Sequence, residues 1–247
     1  PDFVETWRYG QCFYGSKLNS FSVYDKDECL RIDSSRKNVL LIGDSHAAHW
    51  YFALKKVFPE ANILQATASG CRPLLDTGKS KRCTDLRDFI FDEFLPQNSV
   101  DTIILSARWR EDEIERQLVN TLDFLTGFSK EIYVFGPTIE YSESLPFIYL
   151  RKLRFSDEAN MQRAELNSNI DRWIGRESFS LSDNTASRVS ETSAKYISIV
   201  DLVCPNNKCL SLTPEGKLIN FDSSHFTLEG SEYLVEKMKS SGILAIE

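Results

Sequence analysis

The sequence lacks several features that would place it in other classes of protein. No apolar run approaches the roughly 20 residues of a transmembrane helix. There is no cluster of lysine and arginine, and 29 basic against 36 acidic side chains give a net charge of −7. This balance argues against a nucleic-acid partner. Internal repeats and low-complexity tracts are also absent, which excludes repeat architectures.

What is present is the composition of an ordinary globular protein, with 42% hydrophobic and 26% charged residues. A chain of 247 residues can bury a sizeable core, as one domain or as one domain with an appendage. The sequence begins at Pro1 rather than at methionine, and we therefore expect a fragment or a processed product.

The six cysteines fall into three pairs that are close in sequence: Cys12 with Cys29, Cys71 with Cys83, and Cys204 with Cys209. Each pair closes a short loop, which is typical of disulfides formed in an oxidising compartment. Six cysteines formally allow about fifteen connectivities. Buried free thiols in a cytosolic protein are the alternative. Zinc binding is a third option, but no Cys-x-x-Cys hairpin supports it.

Hydrophobic patterning divides the chain near residue 37. Residues 1–37 carry many aromatic side chains without clear periodicity, which indicates an irregular extension packed on the main domain, or a linker to a missing partner domain. From residue 38 to 247, apolar runs alternate with helical patterns. Strands are predicted over 39–42, 62–67, 102–105, 132–135 and 196–200, and helices over 46–58, 84–94 and 111–128. This alternation predicts a parallel five-stranded sheet in a three-layer α/β/α sandwich of flavodoxin-like type.

Residues 137–195 are predicted to form a mostly helical crossover or insertion. Leu166, Ile170, Trp173 and Ile174 share one face at helical spacing, as in an ordinary helix that covers the sheet. Part of the segment could instead form a wall over the active site. Further on, residues 213–216 predict a small hairpin. Thr227 is a candidate N-cap for a final helix that Gly242 ends.

Ser45 is the candidate nucleophile. It follows Gly43 and Asp44 at the turn between a predicted strand and a predicted helix. A serine there exposes its hydroxyl at the carboxyl end of the sheet. Its own N–H is one of the unpaired donors at the helix N-terminus, where negative charge is favoured. The position therefore suits a reaction that develops an oxyanion.

A serine nucleophile needs a base, and His225 is the candidate. It lies 180 residues after Ser45, and Asp222 precedes it by three residues. The carboxyl ends of parallel strands share one edge of the sheet, so the two regions can converge there. Asp222 would then hold one ring nitrogen of His225 while the other faces the serine.

The sequence gives weaker support for two other kinds of site, a metal site and an α/β-hydrolase site. His46 and His49 could hold a metal together with His225, but no carboxylate-rich set completes such a site. An α/β-hydrolase elbow requires Gly-x-Ser-x-Gly, and position 47 is alanine. The pattern thus favours a metal-free serine site of another fold.

These motifs resemble those of the SGNH (GDSL-like) hydrolases. Residues 43–45 look like the first block of that family and residues 222–225 like its last block. Gly70 matches the second-block glycine, and the resemblance implies an oxyanion hole built from the N–H groups of Ser45 and Gly70. The third block normally supplies an asparagine, but residues 105–109 contain none, and Arg108 is the candidate substitute.

A narrower resemblance links the chain to periplasmic SGNH domains fused to acyltransferase-3 membrane proteins, including bacterial O-antigen O-acetyltransferases. It rests on residues 43–50, 69–73, 107–109 and 222–225, within a match over about residues 38–247. It implies a location on the periplasmic face of the inner membrane. A membrane-embedded acyltransferase-3 partner would supply the acyl group, ultimately from acetyl-CoA, and this chain would bind no cofactor.

The function predicted from this resemblance is a serine O-acetyltransferase that acts on a surface polysaccharide such as lipopolysaccharide O-antigen, through acyl-Ser45. His46, Arg72 and Trp109 are candidate substrate contacts, and Arg72, Arg108 and Arg110 could grip an acceptor sugar or a donor phosphate. If water replaces the sugar, the protein is a carbohydrate O-acetylesterase. A non-catalytic glycan-binding module is the third alternative, and the missing asparagine is its best support.

Overall fold

A parallel β-sheet lies at the centre of the molecule. The computed structural model describes residues 3–18, 20–76, 78, 80–154 and 173–246, and within them six strands pair in the order β1-β3-β2-β4-β5-β6. The strands are β1 (Phe13–Tyr14), β2 (Asn38–Gly43), β3 (Asn62–Ala68), β4 (Thr102–Ser106), β5 (Glu131–Phe135) and β6 (Lys195–Ile197). All five pairings are parallel, so the carboxyl ends of the strands share one edge.

Helices cover both faces of this sheet. In chain order they are α1 (Phe3–Thr6), α2 (Lys26–Cys29), α3 (Ser45–Ala48), α4 (Tyr51–Val57), α5 (Lys81–Asp88), α6 (Leu95–Gln97), α7 (Glu111–Glu113), α8 (Val119–Leu125), α9 (Leu145–Arg154), α10 (Glu177–Val189), α11 (Ile199–Val203) and α12 (Leu228–Ser240). π-helical stretches join α5 to α6 (Phe89–Phe94) and α7 to α8 (Ile114–Leu118). Short 3₁₀ turns occupy Phe21–Val23 and Pro205–Asn207.

The strand residues alternate between two hydrophobic cores. In β2, Val39 and Leu41 belong to one core, which α4 and α12 cover, whereas Leu40 and Ile42 belong to the other, which α5 and α8 cover. Side chains in a strand point to opposite faces in turn, so a strand buried on both faces is apolar throughout. The predicted three-layer α/β/α sandwich is therefore confirmed.

The predicted number of strands was one too low. The additional strand, β1, lies in the N-terminal segment expected to be irregular, where Phe13 and Tyr14 pair with Thr67 and Ala68 at the edge of β3. Two residues are too few to produce a recognisable period. The same segment buries Tyr24 and Leu30 in the core that α5 covers, so it packs closely on the main domain.

The predicted strand over 196–200 was wrong in its second half. β6 ends at Ile197, and α11 begins at Ile199 because the Ser198 side chain accepts a hydrogen bond from the Asp201 N–H. Apolar residues within this short helix were therefore mistaken for strand. The predicted helix over 46–58 is divided into α3 and α4, and the helix predicted over 84–94 extends from Lys81 to Gln97.

The predicted hairpin and the predicted cap of the last helix are confirmed. Leu212 and Leu218 pair across the predicted hairpin. The Thr227 side chain caps α12 by accepting from the Gly230 N–H, and Gly242 follows the helix at φ 71°. In the predicted crossover helix, Leu166 and Ile170 lie outside the described residues, while Trp173 and Ile174 pack against the core that α12 covers.

All six cysteines are joined in the three sequence-local pairs. The pairing predicted from their spacing is thus confirmed, and the free-thiol and zinc alternatives are wrong. Among the described helices, none combines the length and apolar character needed to cross a membrane.

Candidate active site

Ser45 stands where β2 ends and α3 begins, and Gly43 makes this turn possible. A Cβ atom at Gly43 would lie 1.7 Å from the Ser106 carbonyl oxygen of β4 and 2.9 Å from Ala47 Cβ. Only glycine allows the two backbones to approach so closely. The turn is fixed further by the Ser106 hydroxyl, which donates to the His46 carbonyl at 2.7 Å.

Asp44 caps α3 and joins it to the segment after β4. Its carboxylate accepts hydrogen bonds from the backbone N–H groups of His46, at 2.8 Å, and of Arg108, at 3.1 Å. Burial, at 2% exposure, raises the pKa of Asp44 to about 6, although these hydrogen bonds act in the opposite direction. The side chain is thus a structural cap that holds the nucleophile turn.

The structure brings the three predicted catalytic residues together. His225 Nε2 lies 2.8 Å from Ser45 Oγ, and His225 Nδ1 lies 2.7 Å from Asp222 Oδ2. An ionised carboxylate can only accept, so Nδ1 carries the proton and Nε2 accepts from the serine hydroxyl. The arrangement supplies a hydroxyl, a base and a group that orients the base.

Asp222 is held as an anion by its own loop. Its Oδ1 accepts the backbone N–H groups of Ser224, at 2.8 Å, and of His225, at 2.7 Å. Burial alone would raise the pKa of Asp222, but the hydrogen bonds from the His225 ring and from these two N–H groups outweigh it. The pKa of Asp222 falls to about 2, so the carboxylate is ionised at neutral pH.

The backbone of the 222–225 loop is fixed from the other side by the segment after β5. The carbonyls of residues 222, 223 and 224 accept hydrogen bonds from the Leu145 N–H (3.1 Å), the Tyr141 N–H (2.8 Å) and the Thr138 hydroxyl (3.2 Å), respectively. These bonds make the crossover segment part of the support for His225. Sequence reasoning missed this role, because no motif marks a residue that acts through backbone contacts.

The other two histidines are buried beside His225. The His46 ring is 4.6 Å from the His225 ring between centroids, and it shares hydrogen bonds with the Thr138 hydroxyl and the Ser224 hydroxyl. Burial lowers the pKa of His46 and of His49 well below the usual value of 6.5, so both stay neutral. Within the described residues, no set of three His, Cys, Asp or Glu side chains could hold a metal ion.

A cavity of about 790 Å³ is lined by all three predicted substrate contacts, His46, Arg72 and Trp109. The triad side chains are not part of its lining, and His46, whose ring contacts the His225 ring, connects the cavity to them. The Trp109 indole N–H donates to the Phe135 carbonyl at 2.8 Å, and its ring is 4% exposed. Another wall comes from the described ends of the crossover segment, residues 137–140 and 175–181. The volume lies within the range of about 300–1,000 Å³ that is typical of small-ligand sites.

The predicted oxyanion donors lie in different settings. Gly70 has φ 70°, and its N–H takes part in no hydrogen bond among the described residues. The Arg72 guanidinium holds this turn to the segment after β4 through the carbonyls of Gly70 and Arg108. The Arg108 guanidinium donates hydrogen bonds to Glu140, and the Arg108 backbone N–H donates to Asp44. The role of Arg108 as a third donor stays a prediction.

Two aromatic side chains that sequence reasoning did not assign to the site contact the His225 ring. Phe221 stacks on it at 5.7 Å with an interplanar angle of 12°, and Trp7 lies at 5.4 Å with an angle of 49°. The position of Phe221, directly before Asp222, could have suggested that its ring contacts His225. Trp7 carries no such signal, because only the folded N-terminal segment brings it here.

Comparison with solved structures finds the same fold in the periplasmic domain of a lipopolysaccharide acetyltransferase from Salmonella ser. Paratyphi A. The TM-score is 0.79 at 21% identity, over 98% of this chain and 95% of that one. A carbohydrate acetylesterase from Sinorhizobium meliloti matches with a TM-score of 0.49 at 12% identity, over 85% and 100% of the two chains. The C-terminal catalytic domain of Streptococcus pneumoniae peptidoglycan O-acetyltransferase A matches with 0.45 at 12%, over 84% and 93%.

No match was found among curated proteins. A family model does match, and it covers residues 11–240, almost the whole chain. Its range contains the motifs around Ser45, Gly70 and residues 222–225. The chain therefore belongs to the family of SGNH domains that are fused to AT3 domains.

Proposed function

We propose that this chain is a serine O-acetyltransferase that places an acetyl group on a sugar hydroxyl of a bacterial surface polysaccharide, such as lipopolysaccharide O-antigen. The observation that carries the proposal is the Ser45–His225–Asp222 arrangement, with contacts of 2.8 and 2.7 Å. Membership in a family fused to AT3 domains and a fold shared with a lipopolysaccharide acetyltransferase domain support the choice of reaction.

In the first half-reaction, Ser45 Oγ attacks the carbonyl carbon of the acyl donor while its proton passes to His225 Nε2. The carbonyl oxygen becomes an oxyanion, which the N–H groups of Ser45 and Gly70 stabilise. The tetrahedral intermediate then collapses. The donor's leaving group departs with the proton from His225, and the acyl group remains on Ser45 as an ester.

In the second half-reaction, the acceptor hydroxyl gives its proton to His225 Nε2 and its oxygen attacks the acyl-Ser45 carbonyl. Collapse returns the proton to Ser45 Oγ and releases the acetylated sugar. The ionised Asp222 stabilises the imidazolium in both halves. Water in place of the sugar would release acetate by the same steps, so exclusion of water decides between transfer and hydrolysis.

We assign the acceptor to the cavity lined by His46, Arg72 and Trp109. Its walls carry groups of both charge signs, among them Arg110 and Glu177, which suits a polyhydroxylated ligand that needs hydrogen-bond donors and acceptors. The acyl group would come from a membrane-embedded acyltransferase-3 partner, ultimately from acetyl-CoA. In this proposal the chain binds no cofactor and works on the periplasmic face of the inner membrane.

The test compares wild-type protein with Ser45→Ala, each within the full-length protein, by mass spectrometry of the cell-surface polysaccharide. We expect the level of acetylation to fall at least about 10³-fold in the variant, because a triad without its nucleophile retains little catalysis. Ser190→Ala is the matched control. That hydroxyl is exposed at the end of α10 and bonds only the Ser187 carbonyl among the described contacts.

A second assay separates the alternatives. A chromogenic acetyl ester is supplied to the purified protein with and without an oligosaccharide acceptor. Acetate release that is fast and indifferent to the acceptor would identify an esterase instead. Unchanged acetylation by Ser45→Ala would identify a non-catalytic glycan-binding module.

A further inference from the structure

The N-terminal segment places an aromatic ring, that of Trp7, in tilted contact with the His225 imidazole. Trp7, Phe221 and His225 form a closed triangle of ring contacts, with centroid distances of 5.4 Å (Trp7–His225), 5.7 Å (Phe221–His225) and 6.0 Å (Trp7–Phe221). The triad reaction proposed above uses the hydroxyl and the carboxylate that His225 bonds, but it assigns nothing to the rings beside it.

Trp7 is held from several sides. Its ring is 8% exposed and packs edge-on against Phe13 at 5.4 Å and 86°. Its carbonyl accepts a hydrogen bond from the Gln65 side chain of β3 at 2.9 Å. Because the Trp7 ring is buried and the Trp7 backbone is bonded to the central sheet, the ring has a fixed orientation. It can therefore hold a neighbouring ring in place.

The residue after Trp7 shows how firmly this turn is built. Arg8 has φ 57°, in the left-handed region that side chains other than glycine seldom adopt. Its carbonyl accepts three backbone N–H groups, from residues 11, 12 and 13. Its guanidinium bonds the Tyr51 hydroxyl at 3.1 Å and Glu28 at 3.3 Å. Such backbone strain persists only where the surroundings enforce it, often beside a functional site.

We propose that Trp7 is a positioning residue for His225. Its ring keeps the imidazole in the orientation in which Nδ1 faces Asp222 and Nε2 faces Ser45. This inference rests on the proposed function, because it presumes that His225 acts as the base for Ser45.

The experiment measures how fast a fluorophosphonate probe labels Ser45 in the full-length protein. Labelling forms an Oγ–P bond, expels fluoride and passes the serine proton to His225. It therefore reports on the Ser45–His225 pair without a sugar or an acyl donor. Trp7→Leu removes the aromatic face but keeps an apolar side chain. Trp7→Phe keeps an aromatic face. Tyr9→Leu is the matched control, because Tyr9 contacts Phe13 in the same segment.

We expect Trp7→Leu to slow labelling by about 10- to 100-fold, the range that a small misplacement of a catalytic group produces. Trp7→Phe should recover the rate to within about threefold, and Tyr9→Leu should label like the wild type. Labelling of Trp7→Leu at the wild-type rate would overturn the inference. So would an equal loss in Trp7→Leu and Tyr9→Leu, since that loss would reflect stability of the segment alone.

Proton NMR of the His225 Nδ1–H separates this inference from the proposed function. The signal should be present in the wild type and in Trp7→Phe, and shifted or lost in Trp7→Leu. If the wild-type serine is not labelled at all, the proposed acyl-serine chemistry fails, and the NMR comparison alone decides the role of Trp7. An unchanged Nδ1–H signal in Trp7→Leu would then overturn it.

Discussion

At the scale of single residues, Asp44 is a buried carboxyl group next to the candidate nucleophile, Ser45. Burial raises its pKa from 3.8 to about 6, so the folded protein takes up a proton below pH 6 that the unfolded chain takes up only near pH 3.8. A raised carboxyl pKa contributes stability at low pH that is lost as the pH rises through about 6. His46 and His49 act in the opposite direction, because their lowered pKa values leave the unfolded chain to bind protons first.

Replacement of Asp44 by asparagine isolates its share of this pH dependence. Asp44→Asn keeps an oxygen that can cap α3 but cannot ionise, and the two histidines are common to both proteins. Between pH 8 and pH 5, the wild type should gain about 1.4 kcal/mol relative to the variant, or a few degrees in Tm. Thermal unfolding at the two pH values measures this. A Tm difference that stays constant with pH would contradict the prediction.

The grouping of Ser45, Asp222 and His225 was predictable because a serine triad requires particular residue types in short local patterns. The sequence Gly-Asp-Ser at residues 43–45 indicates a strand-to-helix turn, and the spacing of Asp222 and His225 fits one loop. The groups that fix this loop were not predictable. Thr138 and Trp7 reach it only through the packing of distant segments, and their residue types occur throughout the chain for other reasons.

At the scale of elements, the site depends on the junction of β2, α3 and β4. Gly43 pairs with Ser106 in register, and the Asp44 cap reaches across to the Arg108 N–H. The position of Ser45 is therefore set by backbone contact between neighbouring strands rather than by side-chain packing alone. A change at this contact should affect both stability and the nucleophile.

Gly43→Ala tests this junction. The added Cβ would meet the Ser106 carbonyl at 1.7 Å, so β2 and β4 must separate. Overpacking of this kind costs about 1–3 kcal/mol or more in stability, and the displacement of the strands should reduce the rate of Ser45 labelling at least about tenfold.

Gly78→Ala is the control, because Gly78 has φ 72° but open space around the added atom. We expect it to cost about 1 kcal/mol and to leave labelling unchanged. Equal stability and labelling in both variants would refute the idea.

The elements themselves were predictable to different degrees. β2 and β4 are buried along their whole length, and each contains an apolar run, residues 39–42 and 103–105, that the sequence shows directly. β1 has two residues and owes its pairing to the edge of β3, which no local pattern reveals. β6 was overextended because Ile199 and Val200 are apolar and buried in either structure, and the Ser198 side chain that caps α11 gives only a weak signal in the sequence.

At the scale of the whole molecule, the candidate active site is assembled from segments near the two ends of the chain. The N-terminal segment supplies Trp7, the β2 turn supplies Ser45, and the 222–225 loop supplies the other two members of the triad. The Cys12–Cys29 disulfide lies within the N-terminal segment, where the Cys12 N–H also bonds the Arg8 carbonyl. Order in this segment and order in the site should therefore be lost together.

Removal of individual disulfides tests this coupling. The Cys12–Cys29 and Cys204–Cys209 bonds close loops with separations of 17 and 5 residues. Loop-closure entropy predicts losses of about 3 and about 2 kcal/mol when each pair is replaced by serine. Both double variants should thus unfold at lower temperature. Only Cys12→Ser/Cys29→Ser should also slow the labelling of Ser45 while still folded, because only that bond orders the segment that carries Trp7. An equal effect of the two variants on labelling, at equal folded fraction, would show that the N-terminal segment stabilises the domain without shaping its chemistry.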